Sequence, residues 1–300
     1  MPEISKRDFL DSAVLGRLSQ LPLQARGPME GSISGRHQSP HRGASVEFAE
    51  YRKYVPGDDI RHFDWRVYAR SDRYYMKEFE ADTNLRCYLV LDCSGSMAFH
   101  SDQLDTKFAY ARRLVATLAY LVMKQGDAVG LTCSAATIVR DIPPRRNVSH
   151  LKHIFDALSA STPTGETGLV KALHDLAEKI RRRALVLVFS DLFTDPAAVL
   201  SCFQHLRYRK HDVAVFHLFD PSEINFQFDR PIRFNDMERN FSIVAEPGLI
   251  YSRYREALDA YLQTLKHGCN EFKVDYRQVT TDKDYEKILA EFLLARLHAR

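Results

Sequence analysis

The fold follows from residues 85–96, whose sequence is LRCYLVLDCSGS. The first part, residues 85–91, is mostly apolar and rich in β-forming side chains, which is typical of a strand buried in a parallel sheet. The polar run DCSGS, residues 92–96, follows it directly. Ligand sites in open parallel sheets form beyond the carboxyl ends of the strands, so this run is the first candidate for a functional site.

Strands and helices alternate downstream of this stretch. Apolar residues spaced by three and four predict a helix over 108–122, with capping chemistry at Asp105 and Thr106. The other predicted elements are strands over 128–133, 137–142, 184–189, 213–218 and 272–279, and helices over 148–158, 169–180, 197–206, 249–266 and 285–297. We expect the helix over 249–266 to stop at Gly268. The alternation predicts an α/β, doubly wound, mostly parallel sheet with helices on both faces, similar to Rossmann folds.

The region before this core is less regular. A polar loop rich in Gly and Ser covers residues 31–45, and alternating side chains predict a strand over 74–79. We therefore expect a small β-containing side domain over 1–84 and a main domain over 85–300. A hairpin predicted within 225–246 interrupts the alternation and is a candidate addition to the side domain.

Composition excludes several classes of protein. The chain has 300 residues, and 42 Lys and Arg against 39 Asp and Glu leave a net charge of only +3, which argues against nucleic acid or an anionic membrane as partner. The longest apolar run in a helical stretch, 114–123, covers ten residues, whereas a bilayer needs roughly 20, so we expect no transmembrane segment.

The cysteines and the N-terminal residues indicate the compartment. Five cysteines stand at wide spacings without a CxxC pair, and no apolar segment follows the charged start, so we expect neither disulfides nor a signal peptide. His150 and His153 lack a third ligand, and we expect them on a solvated helix face rather than in a zinc site. The sequence predicts a cytoplasmic protein.

Three loops carry matching oxygen donors beyond predicted strands or before predicted helices. The donor side chains are Asp92, Ser94, Ser96, Thr167 and Asp191. Hard oxygens of this kind suit Mg²⁺, and Mn²⁺ could substitute. Hydroxyls add no charge, so two carboxylates balance one divalent ion, and an acidic side chain from a partner could complete the shell. Asp92 and Ser94 could instead be turn and capping residues, which explains one loop but not three.

These five residues resemble the metal-ion-dependent adhesion site of von Willebrand factor A (vWA) domains. The pattern is Asp-x-Ser-x-Ser, a distant Thr and a later Asp, and each position is filled here. The resemblance implies a vWA-type interaction module, in which a bound Mg²⁺ ion binds an acidic residue of a protein partner.

A second resemblance runs from about residue 10 to the C-terminus. It is to the bacterial family called domain of unknown function 58 (DUF58), whose members carry a segment of this kind ahead of an A-type domain. The residues that carry it are Gly35-Arg36-His37, Ser39-Pro40, Gly43, Glu47-Phe48, Arg52-Lys53-Tyr54, Pro56-Gly57-Asp58-Asp59-Ile60-Arg61, Asp64-Trp65 and Ala69-Arg70. The resemblance implies association with a MoxR-type AAA+ ATPase as an adaptor or assembly partner. The segment 56–65 is either a structural plug fixed by Trp65 or an acidic and aromatic recognition surface.

Catalysis is the main alternative. The chain has no GxxxxGK[ST] loop and no GxSxG elbow. A Mg²⁺-dependent phosphatase or hydrolase with Asp92 as nucleophile would want a second acid at position 94, which is Ser, and no nearby lysine is obvious as a charge stabiliser. We therefore predict a non-enzyme. A protein scaffold with a vestigial site is the third hypothesis.

Overall fold

The computed structural model describes residues 7–26, 47–53, 68, 75–80, 85–101, 104–226, 228, 230–239 and 241–298. It divides into two compact units. The first comprises Met1–Gln24 and Arg86–Arg300, and the second comprises Ala25–Leu85. Residues 1–24, which lie inside the predicted side domain 1–84, therefore group with the first unit. The side domain itself stays a prediction.

Strands and helices alternate along the first unit. Its strands are β3 (Arg86–Asp92), β4 (Ala128–Ser134), β5 (Ile138–Arg145), β6 (Leu185–Ser190), β7 (Asp212–Phe219), β8 (Ile232–Asn235), β9 (Ser242–Ala245) and β10 (Asp275–Thr280). Its helices are α1 (Ser12–Leu18), α2 (Lys107–Lys124), α3 (Val148–Ala160), α4 (Leu169–Lys179), α5 (Pro196–Tyr208), α6 (Pro221–Asn225), α7 (Pro247–Glu271) and α8 (Tyr285–His298). A short 3-10 turn covers Gly95–Ala98.

The central sheet has six strands in the order β10-β7-β6-β3-β4-β5. Strands β10, β7, β6, β3 and β4 are parallel, and β5 runs antiparallel to β4. Helices α1, α2, α3 and α8 pack together on one face, and α4, α5 and α7 on the other. The predicted α/β, doubly wound and mostly parallel sheet is thus confirmed.

The strand order places a topological switch point between β3 and β6. The chain leaves β3 toward β4 and β5, then returns to the other side of β3 to build β6, β7 and β10. Crevices at such a point, beyond the carboxyl ends of the strands, are where open α/β sheets bind ligands. Asp92 ends β3 and Asp191 follows β6, so two of the predicted metal ligands flank this crevice.

Buried apolar side chains hold the helices on the sheet. On the face of α4, α5 and α7, the core joins strand and helix residues that include Val186, Val188, Val213, Val215, Leu173, Phe203 and Leu265. Fully burying such a side chain contributes about 1.5–3 kcal/mol. The runs over 87–91 and 185–189 are mostly apolar because both faces of these central strands are covered.

The local sequence predicts the start of α2 correctly but not the end of α7. The Thr106 hydroxyl accepts a hydrogen bond from the backbone N–H of Ala109, as expected for the residue that caps α2. The expected stop at Gly268 is wrong, because α7 continues to Glu271. A β-carbon at Gly268 would come within 2.5 Å of a Leu200 methyl group, so this glycine permits close packing of α7 on α5.

Two antiparallel strand pairs lie outside the central sheet. In the second unit, β1 (Glu47–Lys53) pairs with β2 (Tyr75–Glu80), close to the strand predicted over 74–79. The segment 56–65 lies outside the described residues. Strands β8 and β9 form the hairpin predicted within 225–246, which lies in the first unit. None of the helices in the described stretches is both long and apolar enough to cross a bilayer.

Candidate metal centre

Asp92 stands at the end of β3 and is 1% exposed. Its Oδ1 accepts a hydrogen bond from the backbone N–H of Ser94 at 2.9 Å, and its Oδ2 accepts one from the Ser190 hydroxyl at 2.5 Å. Burial raises the pKa of Asp92 to about 7, and the nearby charge of Asp191 adds to this effect against the opposing hydrogen bonds. A carboxylate in this position favours a neighbouring cation.

Ser94 and Ser96 direct their hydroxyls to one place. Ser94 is buried and immediately precedes the 3-10 turn, and its Oγ lies 3.1 Å from Oγ of Ser96. The turn therefore holds two neutral oxygen donors next to the backbone of Asp92.

Backbone hydrogen bonds fasten the loop of Thr167 to this turn. The N–H of Thr164 donates to the Cys93 carbonyl at 2.8 Å, and the N–H of Gly95 donates to the Gly165 carbonyl at 2.8 Å. Gly165 has φ +77°, a conformation that favours glycine. The loop of the second predicted motif segment thus lies beside the first, as the sequence pattern requires.

Asp191 follows β6 and is 6% exposed. Its backbone carbonyl accepts a hydrogen bond from Nε2 of His217 at 2.8 Å, and Nδ1 of His217 lies 2.6 Å from the Tyr276 hydroxyl. Because a carbonyl only accepts, the imidazole carries its proton on Nε2, and the tyrosine hydroxyl donates to Nδ1. Burial lowers the pKa of His217 to about 3, so this neutral ring fixes the backbone of Asp191.

Lys107 is a charged residue of the site that the sequence analysis missed. Its ammonium group donates to Oδ2 of Asp191 and to Oε1 of Glu223, both at 2.7 Å, and its side chain is 2% exposed. Burial lowers the pKa of Lys107, but the charges of Asp191 and Glu223 more than offset this, so its pKa lies above the ordinary value. The spacing of apolar residues cannot reveal that a lysine is buried, because a lysine at the start of a helix usually faces solvent.

Glu238 is the second residue that was missed. It lies in the loop between β8 and β9, and its Oε2 accepts a hydrogen bond from the backbone N–H of Thr167 at 3.1 Å. This loop therefore touches the segment that carries one of the predicted ligands.

The donor set fits a small divalent cation by its chemistry. Asp92 and Asp191 supply carboxylates, and Ser94, Ser96 and Thr167 supply hydroxyls, all of them hard oxygens. Among the residues that the structure describes, no three His, Cys, Asp or Glu side chains come together so as to hold a metal ion. The candidate centre depends instead on hydroxyl donors, as the sequence pattern predicts.

A family profile and an uncharacterized relative match most of the chain. The profile is described as "Protein of unknown function DUF58" and matches residues 50–258. The uncharacterized protein Rv1480 of Mycobacterium tuberculosis is 26% identical over 304 residues, which cover 98% of this chain and 93% of that protein.

Solved structures show looser similarity. The conserved hypothetical protein BatB from Bacteroides thetaiotaomicron has a TM-score of 0.49 at 13% identity, covering 71% of this chain and 99% of that one. The SpRpn10 VWA domain has a TM-score of 0.43 at 11% identity, covering 70% of this chain and 95% of that one. At these TM-scores the similarity to the two structures does not indicate a function for this chain.

Proposed function

This chain belongs to the DUF58 family, and on that premise we propose that it is a non-catalytic protein-interaction module of the vWA type. A Mg²⁺ ion, replaceable by Mn²⁺, binds at Asp92, Ser94, Ser96, Thr167 and Asp191. An acidic residue of a protein partner completes the shell of the ion. When bound, the metal supplies a positive charge that a carboxylate of the partner can ligate.

The observation that carries the proposal is a pair of acids at the switch point of the sheet. Asp92 and Asp191 come from neighbouring strands, both are buried, and hydroxyl donors accompany them. Burial and the charge of Asp191 raise the pKa of Asp92, so a cation bound beside these carboxylates would stabilise the ionised form of Asp92. Lys107 neutralises part of this charge but is shared with Glu223, so a net negative charge remains for a divalent ion.

The identity of the partner is inferred less directly than the metal site. The resemblance to the DUF58 family implies a MoxR-type AAA+ ATPase, and we propose that this chain is its adaptor in the assembly or maturation of protein complexes in the cytoplasm. The nearly balanced charge of the chain supports a protein partner over nucleic acid.

A hydrolase that uses Asp92 as a nucleophile is the second candidate. Lys107 favours this candidate. The sequence showed no lysine near Asp92 that could stabilise charge during catalysis, and the structure places the ammonium group of Lys107 beside Asp191. Two features oppose it: both carboxylate oxygens of Asp92 already accept hydrogen bonds, and the side chain is buried. A nucleophile needs a free and accessible oxygen. Turnover of p-nitrophenyl phosphate with Mg²⁺, lost in Asp92→Asn, would support the hydrolase instead.

The test of the interaction module is co-purification with a MoxR-type ATPase from the native cell. We expect capture by the parent chain in Mg²⁺, loss of capture in EDTA, and loss in Asp92→Ala. Asp259→Ala is the matched control, since Asp259 is an exposed acid on α7. Equal capture by parent and Asp92→Ala, with and without EDTA, would contradict the proposal.

A further inference from the structure

The loop between β8 and β9 spans positions 236–241, and its described residues Met237 and Glu238 lie against the candidate metal centre. Oε2 of Glu238 accepts the hydrogen bond of the Thr167 backbone at 3.1 Å. The Met237 carbonyl lies so close to the DCSGS turn that a β-carbon at Gly95 would come within 2.2 Å of its oxygen. The hairpin therefore contacts two of the three segments that carry the proposed ligands.

The loop is shaped so that it presents Glu238 to the site. Oδ1 of Asp236 accepts hydrogen bonds from the backbone N–H groups of Glu238 at 2.8 Å and of Arg239 at 3.0 Å. The N–H of Asp236 donates to the Phe241 carbonyl at 2.8 Å, which closes the turn. A short polar side chain that binds the backbone two and three residues ahead organises such a turn locally. The position of Glu238 is thus set by the loop itself.

One oxygen of Glu238 has no hydrogen-bond partner in the part of the chain that the structure describes. Oε2 is held by Thr167, but Oε1 is buried and finds no hydrogen-bond donor among the residues that the structure describes. A buried carboxylate oxygen without a partner is unfavourable, and a donor or a cation would stabilise it. This carboxylate has the chemistry that the proposed function assigns to the partner.

The contact that fastens the loop from outside is weak. Nε of Arg239 lies 3.2 Å from Oε1 of Glu166, and the two side chains are 69% and 58% exposed. Exposed ion pairs contribute little, because water and salt screen them. The strands of the hairpin are held separately, because the Phe234 ring on β8 stacks on Phe226 at 5.9 Å. Among the described residues β8 and β9 pair with each other and not with the central sheet, so the loop can leave the site without breaking a strand pairing of that sheet.

We propose that the loop 236–241 is an internal ligand that covers the partner-binding face of the metal centre, with Glu238 as its acidic group. This inference rests on the proposed function, because it assigns regulation to the same site. The partner's acidic residue must displace Glu238 before it can bind. An internal ligand acts at a high effective concentration, so it raises the concentration of any free carboxylate needed to occupy the site.

The experiment measures the access of a free carboxylate to bound Mn²⁺. The parent chain, Glu238→Ala and the control Glu246→Ala are loaded with Mn²⁺ alone, and acetate is titrated while water-proton relaxation reports the water bound to the ion. Glu246 carries the same charge at the end of the same hairpin, is exposed, and makes no capping hydrogen bond. We expect Glu238→Ala to bind acetate at a concentration roughly tenfold lower than the parent and the control.

Four outcomes separate the two proposals. A shift in Glu238→Ala alone supports the internal ligand. Equal acetate titrations in all three proteins, with Mn²⁺ bound, would overturn the internal ligand and leave the metal centre standing. Loss of Mn²⁺ binding in Glu238→Ala alone would also overturn it, since Glu238 would then be a required ligand and not a displaceable one. Failure of the parent chain to bind Mn²⁺ would overturn the metal centre, and the internal ligand with it.

Discussion

The ammonium group of Lys107 lies 2.7 Å from Oδ2 of Asp191, and both side chains are almost fully buried. The lysine begins α2 and the aspartate follows β6, so this ion pair joins one helical face of the sheet to its carboxyl edge. Glu223, at the start of α6, accepts a second hydrogen bond from the same ammonium group. The pair occupies Oδ2 of Asp191, while Oδ1 accepts only a long hydrogen bond of 3.3 Å from the backbone N–H of Phe193 among the described residues.

Replacing Lys107 by Met should destabilise the fold strongly. The substitution leaves the carboxylates of Asp191 and Glu223 without their buried cation, and breaking a buried pair in this way costs about 3–5 kcal/mol. Urea unfolding followed by circular dichroism measures the change. Lys124→Met, on the exposed end of the same helix, should change the free energy of unfolding by less than about 0.5 kcal/mol. A similar loss in both variants would contradict a specific role for Lys107.

Replacing Asp92 by Asn should separate stability from metal binding. Without metal, the variant should be about as stable as the parent, since removal of a buried charge near Asp191 offsets the loss of one of the two hydrogen bonds that the Asp92 carboxylate accepts. With Mg²⁺ at a hundredfold excess over its dissociation constant, the parent should gain about 2.7 kcal/mol and Asp92→Asn nothing. Thermal unfolding with and without Mg²⁺ measures both effects. Asp259→Asn, an exposed acid on α7, should respond to Mg²⁺ as the parent does.

Most of the fold could be predicted because its signals are local. The apolar runs over 85–91 and 184–189 predict buried strands wherever they occur, and alternation with amphipathic helices then gives the parallel sheet. The capping role of Thr106 could also be predicted, because it depends on the residues next to it in sequence. The prediction failed at Gly268, where the glycine serves packing between two helices and not the end of one.

The site was only partly predictable, because its remaining residues depend on contacts distant in sequence. Lys107 meets partners 84 and 116 residues away, and Glu238 meets Thr167 from 71 residues away. The expectation that His150 faces solvent was wrong for the same reason. Its ring is buried and Nε2 lies 2.9 Å from the Val129 carbonyl. The strand of Val129 was predicted, but its contact with a helix residue 21 positions away was not.

Replacing Gly95 by Ala should push the loop 236–241 away from the site. The added β-carbon would meet the Met237 carbonyl at 2.2 Å, a distance that the backbone must relieve by moving. We expect faster hydrogen exchange in residues 236–241 and a loss of about 1–3 kcal/mol, as for other overpacked positions. Gly248→Ala, where the new β-carbon meets no atom within 4 Å, should leave both unchanged. Equal exchange in Gly95→Ala and the parent would contradict the close contact.

His211 should make the free energy of unfolding fall in mild acid. Its ring is 1% exposed, and neither ring nitrogen has a hydrogen-bond partner among the described residues. Burial, together with the positive charges of Arg209, Arg183, His205 and Arg207, lowers its pKa to about 4. The unfolded chain takes up a proton near pH 6.5, whereas the folded chain resists it until about pH 4. Stability is therefore complete above pH 6.5 and declines between these values, by at most about 1.4 kcal/mol per pH unit.

Urea unfolding at pH 7, 6, 5 and 4.5 tests this decline. His211→Leu cannot take up the proton, so its free energy of unfolding should fall less steeply than that of the parent over the same interval. His153→Leu, on an exposed position of α3, should retain the slope of the parent. Parallel pH profiles for the parent and His211→Leu would mean that another group carries the acid sensitivity, because no other difference between the two chains titrates in this range.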